Sequence, residues 1–361
     1  MSNVARYWRM DEDGRIVCEL CPRFCALREG QRGMCFVRMR KDDQLILDTY
    51  GRSSGFCIDP IEKKPLSHFL PGTPVLSFGT AGCNLACKFC QNHEMSTSRD
   101  TDMLSQEASA ELIASYAANA GCRSVAYTYN DPVIFLEYAV DIAEACRVRG
   151  VKNVAVTAGY ISEAARPEFF HAMDAANIDL KGFTERFYRK LTGAEMAPVL
   201  DSIAYAVNET GCWVELTVLL IPGENDSPGE IAGMCRWVVE NCGSDVPVHF
   251  TAFTPQHRLM DRDKTPVDSL LRARAIAKDI GVNHAYIGNV HHVEAQSSYC
   301  TGCGKRVIER DWHLLSDWQL DGQGRCKACG MQMPGVFDGP PGDWGRKRRP
   351  VRLVDNDAVA R

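Results

Sequence analysis

The 361-residue chain is 45% hydrophobic and 24% charged, with a formal net charge of -5, which fits one large globular α/β-sized domain plus smaller appendages. Mild acidity gives no reason to expect a general nucleic-acid surface, and no segment approaches the ~18 uninterrupted apolar residues of a membrane span. The opening MSNVARYWRM lacks the apolar run of a secretory signal, so a cytoplasmic location without a membrane partner is expected.

Residues 1–70 form a cysteine-containing leader of mixed polarity and weak periodicity. PVLSFG (74–79) then opens a repeating pattern of strand and helix. A helical stretch from about Leu104 to Asn119 aligns Leu112, Ile113 and Tyr116, and SVAYTY (124–129) is strand-like. VIFLEYAVDIAEACRVRG (133–150) is an amphipathic helix with Leu136, Val140, Ala143 and Cys146 on one side and Gly150 as its terminator. Strand VKNVAVTAG (151–159), a short helix at 161–173, strand ANIDLK (176–181) and a helical region to about Asn208 follow. WVELTVLLI (213–221) is the clearest buried strand. Helix 228–241, strand VPVHFTAF (246–253), helix 266–280 closing at Gly281, and strand NHAYIGN (283–289) complete the repeat.

Six strands, with a seventh near 284, each joined through helical text, predict an α/β fold: an open, partial (β/α)6 barrel over 71–292. Chemistry is expected in the loops after the C-terminal strand ends. A second cysteine module, zinc-ribbon-like, occupies 293–337, and a flexible tail rich in Gly, Pro and charge occupies 338–361, its RKRR run (346–349) taken as a solvated basic segment.

Seventeen cysteines are unevenly spread: Cys18, Cys21, Cys25 and Cys35; Cys83, Cys87 and Cys90; Cys300, Cys303, Cys326 and Cys329; and six scattered ones. Disulfides suit oxidising compartments and small chains lacking a core, so the three clusters are assigned to metals and the scattered thiols to core packing. Cys83, Cys87 and Cys90 sit in the loop after the first barrel strand. Three thiolates there can reach three corners of an iron–sulfur cubane and leave one iron open, whereas structural zinc fills four positions with protein ligands; nearby His93 keeps zinc as the alternative.

CNLACKFC (83–90), with Phe89 before its last cysteine, resembles the CxxxCxxC motif of the radical S-adenosylmethionine (SAM) superfamily. The resemblance implies a [4Fe–4S] cluster whose open iron binds SAM, reductive cleavage of the sulfonium, and a 5′-deoxyadenosyl radical that takes hydrogen from a substrate. It also implies a low-potential electron donor such as flavodoxin or ferredoxin. YTYNDP (127–132) resembles the family segment that holds the methionyl amino group, making Thr128, Asn130 and Asp131 SAM-side candidates; Asn130 as a helix cap is the bland alternative. TAGY (157–160) and IDLKGF (178–183) resemble the third and fourth strand ends of glycyl-radical activating enzymes and add Thr157, Asp179 and Lys181. Val156 stands where those activases commonly carry an acid. From the later strand ends come Asn289 toward the ligand, Ile287 against an apolar ring face, and His249 and Thr251 as cavity-lining residues. His257, His291 and His292 are proton-transfer candidates with surface positions as the default; no catalytic acid or base is assigned.

The leader's C-x-x-C-P-x-x-C with a later GxC (Cys18, Cys21, Pro22, Cys25, Gly33, Cys35) resembles the AmmeMemoRadiSam-system radical enzymes, a subgroup related to pyruvate formate-lyase activating enzyme. That likeness implies Amme-type or Memo-like pathway partners. Four leader cysteines suit zinc or an auxiliary [4Fe–4S] cluster; the cluster relays electrons and zinc does not. CTGCG (300–304) and CKACG (326–330) are paired knuckles with the glycines that tight turns require, a pattern for structural zinc. The expected function is therefore a radical SAM enzyme acting on an unknown protein or small molecule, with glycyl-radical activation as one variant. The competing class is a zinc-rich interaction or nucleic-acid-binding protein, which leaves Cys83–Cys90 without a role.

Overall fold

The computed structural model describes residues 4–99 and 106–353. Its central feature is a sheet of ten strands among the described residues. Eight of them frame the site: β1 (Arg52–Pro60), β2 (Pro74–Gly79), β3 (Ser124–Tyr127), β4 (Lys152–Thr157), β5 (Ala175–Asp179), β6 (Trp213–Leu220), β7 (Val248–Ala252) and β8 (Ala285–Gly288). β2 to β8 are parallel and lie side by side in chain order, while β1 runs antiparallel along β2. The sheet does not close: β8 is one edge, and Arg349–Pro350 pairs along β1 at the other. The sheet is open, consistent with the expected partial barrel, and the strand expected near 284 is its seventh parallel member.

The crossovers carry α1 (Ala110–Asn119), α2 (Leu136–Val148), α3 (Arg166–Ala172), α4 (Ala197–Asn208), α5 (Pro228–Cys242) and α6 (Val267–Ile280). Ser109 caps α1 by accepting from the Leu112 N–H at 3.1 Å, and Ser227 caps α5 from the Glu230 N–H, with Pro228 at the first helical position where its missing N–H is harmless. The earlier expected helix start at Leu104 lies outside the described residues. Gly281 closes α6 in the left-handed conformation, φ +109°, as the sequence predicts.

Two expectations about the ends are corrected. The leader does not extend to residue 70: β1 belongs to the central sheet, and Ile61–Leu70 lies inside the curl of the sheet, where Ile61, Leu66, Phe69 and Leu70 pack against Val75, Ala126, Val154 and Ala175. Its polar groups are paired there. Glu215 of β6 accepts from the Ser67 and His68 N–H groups and from His249 Nε2, at 2.7–2.9 Å. The tail is laid down through residue 353: Arg349 and Pro350 pair with Ile58 and Cys57, and Leu353 is buried. Backbone pairing to an edge strand supplies the order that composition alone does not. Residues 354–361 lie outside the described residues.

The rest of the leader forms a three-stranded sheet (Trp8–Met10, Ile16–Cys18, Ala26–Leu27) and a hairpin (Arg38–Lys41, Gln44–Leu47). It is fastened to α2 by a buried ion pair, Arg38 to Glu137 at 2.5 Å. The ribbon packs against the interior plug, since His68 Nδ1 donates to the Pro334 carbonyl at 2.6 Å and Arg310 donates to the Ser67 carbonyl at 2.6 Å.

With Nδ1 donating, His68 Nε2 accepts from the Tyr286 hydroxyl, so the ring is neutral. Burial, then the adjacent His284, lowers its pKa to about 3. A histidine lowered in the folded state binds fewer protons than in the unfolded chain, so its contribution is whole above pH ~6.5 and is lost as pH falls toward 3. His284 and His313 are lowered in the same sense by burial. Melting curves across this window are expected to show stability falling with pH, and His68→Gln to lessen the slope by about 1.4 kcal/mol per pH unit. An unaltered slope contradicts a neutral His68.

Candidate active site

The C-terminal ends of β3 to β8 and the loop after β2 surround one cavity of about 460 Å³, within the size range of small-molecule sites. Its wall holds Cys83, Cys87 and Cys90, together with Thr128, Asn130, Asp131, Thr157, Asp179, Lys181 and Asn289. All ten of these residues named from sequence therefore share one chamber. Strand alternation explains the contribution of β5 and β6: Asn177, Asp179 and Lys181, and Thr217 and Leu219, recur at every second position on the concave face.

The cysteine loop is shaped by backbone contacts that do not involve sulfur. Ala86 N–H donates to the Thr192 carbonyl and Lys88 N–H to the Leu191 carbonyl, both at 2.8 Å, on either side of Cys87. Leu85 and Phe89 are buried, which fixes the turn between them. Cys90 Sγ lies 3.2 Å from Ser96 Oγ. Burial, and then the Asp131 carboxylate, pushes the Cys83 thiol well up; burial pushes Cys87 to about 12 although Lys181 opposes it. Both thiols are neutral by themselves, and a bound cation is what makes such groups thiolate ligands, with release of protons. His93, the alternative zinc ligand, instead stacks on His257 with ring centroids 4.8 Å apart and is absent from the cavity wall.

The strand-end polar residues divide by their partners. Asn130 is committed to the cysteine loop: its Oδ1 accepts from the Thr80 N–H, and its Nδ2 donates to Thr80 Oγ1 and the Ala81 and Gly82 carbonyls. Its side chain thus positions residues 80–82, just ahead of Cys83, rather than capping a helix. Close approach matters here, because a Cβ on Gly79 would lie 2.5 Å from the Thr128 carbonyl and 2.7 Å from Asn130 Oδ1. Asp131 takes the cap role, accepting from the Val133 N–H at 3.0 Å, and also receives Thr157 Oγ1 and the Ala158 N–H at 2.9 Å each. Lys181 Nζ meets Asp179 Oδ2 at 2.7 Å. Burial works against the Lys181 charge, but the adjacent Asp179 carboxylate outweighs it and holds the ammonium protonated.

Two wall residues carry buried polar atoms without a protein partner, Asn177 Oδ1 and Thr217 Oγ1. Such orphans cost about 1–3 kcal/mol each unless a ligand or water meets them, so the wall is furnished for a polar ligand. Asn289, in the left-handed region at φ +60°, donates Nδ2 to the Ala252 carbonyl and remains on the wall.

Some sequence candidates fall elsewhere. Thr251 lines the cavity but His249 does not, because two residues deeper along β7 the inward direction meets Glu215. Ile287 is a core residue; His257 stacks on His93, His291 pairs with Asp311 at 3.0 Å, and His292 caps the turn at Ala295. Conversely, Lys63, Lys64 and Arg348 line the cavity and were missed. Lys64 is buried against Asp59 at 2.8 Å, and Arg348 arrives with the paired tail.

Asn130→Ala is expected to leave the Thr80 N–H and the facing carbonyls unmatched, costing about 1–3 kcal/mol per buried group. Thermal melting together with iron retention measures this: a lower midpoint with iron lost is expected, and unchanged iron binding refutes the positioning role.

The description Radical SAM superfamily matches residues 78–235, from β2 into α5. An uncharacterized protein of Methanocaldococcus jannaschii is 36% identical over 330 residues, which is 91% of this chain and 98% of that protein. The chain belongs to the radical SAM superfamily. A GTP 3′,8-cyclase of Lactiplantibacillus plantarum is 29% identical over 180 residues, 49% of this chain and 52% of that protein. Among solved structures, a radical SAM methyltransferase of Sphaerobacter thermophilus aligns with TM-score 0.49 at 14% identity, covering 80% of this chain and 77% of that one. A pyruvate-formate lyase-activating enzyme domain of Bacteroides vulgatus aligns with TM-score 0.41 at 17% identity, covering 46% and 99%. This radical SAM protein is an enzyme, and its catalytic type is that of the superfamily. Among the described residues no helix is long and apolar enough to cross a membrane.

Proposed function

We propose that this enzyme holds a [4Fe–4S] cluster on Cys83, Cys87 and Cys90 and cleaves SAM reductively to take hydrogen from a substrate bound in the same chamber. The observation that carries the reading is the convergence of three loop cysteines and the strand-end polar residues on one cavity. When bound, the reduced cluster supplies the electron that splits the SAM sulfonium into methionine and a 5′-deoxyadenosyl radical. The chain's own contribution is placement. Thr128 and Asp131 offer oxygens toward an ammonium, and the Asp179–Lys181 pair offers both charges to an amino-acid portion. Asn289 stands at the far wall for the nucleoside end, while Asn177 and Thr217 offer the unpaired atoms that remain. The buried floor made by Ile61–Leu70 keeps the chamber closed from below and limits access of water to a reactive radical.

The spacing of the leader and ribbon cysteines supports the finer assignment to AmmeMemoRadiSam-system radical enzymes, with zinc in the ribbon. A low-potential donor of the flavodoxin or ferredoxin kind is the electron source, the cytoplasm is the compartment, and Amme-type or Memo-like proteins are the pathway partners. The decisive experiment is anaerobic reconstitution with iron and sulfide, followed by dithionite and SAM. Formation of 5′-deoxyadenosine is expected; a folded sample that binds no cluster and forms none refutes the proposal.

A further inference from the structure

The fold brings the leader cysteines together without bringing them to the distance of a single ion. Cys18, Cys21, Cys25 and Cys35 line one small pocket with Arg38 and Asn84. A tetrahedral zinc about 2.3 Å from each thiolate sets sulfur atoms about 3.8 Å apart. The ribbon shows that spacing, with Cys300 and Cys329 sulfurs 3.5 Å apart and Cys303 and Cys326 sulfurs 3.8 Å apart. Among the described residues, the ribbon is the only set of three or more such side chains whose ligand atoms all lie within 4.8 Å of one another. The leader quartet falls outside that set, and so does the Cys83–Cys87–Cys90 trio. A polynuclear cluster places each thiolate on a different iron, so its sulfurs stand farther apart around a central body. The leader thiols, gathered around one pocket but outside the single-ion spacing, fit that arrangement better than a single zinc.

Its surroundings suit an anionic, electron-carrying group. Cys18, Cys21 and Cys35 are buried, and burial together with nearby charge tunes iron–sulfur potentials. The Arg38 guanidinium, 1% exposed, acts on Cys18 and Cys35 while tied to Glu137 and to the Ile134 carbonyl. Asn84 Oδ1, on the pocket wall, has no protein partner.

The pocket also adjoins the radical site. Arg23, between Cys21 and Cys25, donates to the Asn84 carbonyl at 2.9 Å and the Gly193 carbonyl at 2.5 Å. A Cβ on Gly82 would lie 2.1 Å from the Cys35 carbonyl. The leader therefore touches residues 82 and 84, on both sides of Cys83.

We propose that Cys18, Cys21, Cys25 and Cys35 bind an auxiliary [4Fe–4S] cluster that relays single electrons to the Cys83–Cys90 site. With four protein thiolates it keeps no open iron and cleaves no SAM. One electron from a low-potential iron–sulfur or flavin donor takes it from the 2+ to the 1+ state, and passing that electron onward restores the 2+ state. The relay rests on the proposed radical site for its acceptor, but the cluster itself does not.

The test uses the full chain carrying Cys83→Ala, Cys87→Ala and Cys90→Ala, reconstituted anaerobically with iron and sulfide. About four irons and four sulfides per chain are expected, with a paramagnetic resonance signal after dithionite. Adding Cys21→Ser and Cys25→Ser is expected to remove both iron and signal. The unaltered chain, which needs no substitution to fold, is expected to hold about eight irons. About four irons in the unaltered chain with none in the triple variant, or a triple variant holding zinc without sulfide, overturns the proposal. Failure of SAM cleavage by the unaltered chain refutes the radical-site reading alone, because iron in the triple variant reports only on the leader.

Discussion

Replacing Cys87 with alanine is expected to abolish 5′-deoxyadenosine formation while leaving the fold and the ribbon zinc in place. Cys87 is the central thiol of the trio and lies beside Lys181, whose charge acts on it directly. Losing a ligand outright should exceed the roughly 10–100-fold cost of losing an outer-shell partner. The loop nonetheless has its own support. The backbone bonds from Ala86 and Lys88 to Thr192 and Leu191 do not involve the thiol, and Leu85 and Phe89 stay buried on either side. Iron content should fall by about one cluster's complement, the melting point should change little, and zinc should be unchanged. Product analysis by mass spectrometry after dithionite reduction measures the outcome. Persistent SAM cleavage in this variant removes Cys87 from the ligand set, and a collapse of the fold returns the loop to a structural role.

The parts legible in the sequence are those whose physics is local. β3 to β8 announce themselves because buried parallel strands are continuous apolar runs bounded by helix starts. The CxxxCxxC spacing carries its chemistry in three adjacent turns. β1 is hidden because RSSGFCIDP mixes polar and apolar residues and contains a left-handed Gly55, φ +70°, next to the irregular pairing between Ser54 and Cys57. A strand with a bulge lacks clean alternation. The plug Ile61–Leu70 is less legible still, since the groups that hold its Ser67 and His68, namely Glu215, Tyr286 and Pro334, lie more than a hundred residues away. His249 shows the limit of periodicity: alternation gives the correct face of β7, but depth along the strand decides between the cavity and Glu215. Asn130 shows another, because type and position brought it to the site while its hydrogen bonds commit it to the cysteine loop. The spacing of the leader cysteines leaves both zinc and iron–sulfur open.

Cys326→Ser is expected to release the ribbon zinc and unfold much of 298–337. The ribbon has little else to hold it. Its own core is Cys300, Val307, Ile308, Leu320, Cys326, Met333 and Phe337, and two of those seven are proposed ligands. Gly304 and Gly330 adopt φ +71° and +77°, and their N–H groups donate back to the Cys300 and Cys326 carbonyls at 2.9 and 2.8 Å, closing two equivalent knuckles. Those turns aim four sulfurs at one point, and unscreened thiolates so close repel one another unless a cation is bound. In small zinc domains the metal supplies about 10–16 kcal/mol of apparent binding free energy that is also folding free energy. The loss should travel inward. His68 donates to Pro334, Val336 N–H donates to the His68 carbonyl at 2.7 Å, and Phe69 bridges to Val336, so the plug beneath the active-site chamber loses one wall. Zinc analysis should show the ribbon metal gone, and hydrogen exchange should rise first across 298–337 and then across 61–70. Zinc retained at the level of the unaltered chain contradicts the ligand assignment; zinc lost with full protection at 61–70 shows instead that the chamber floor stands without the ribbon.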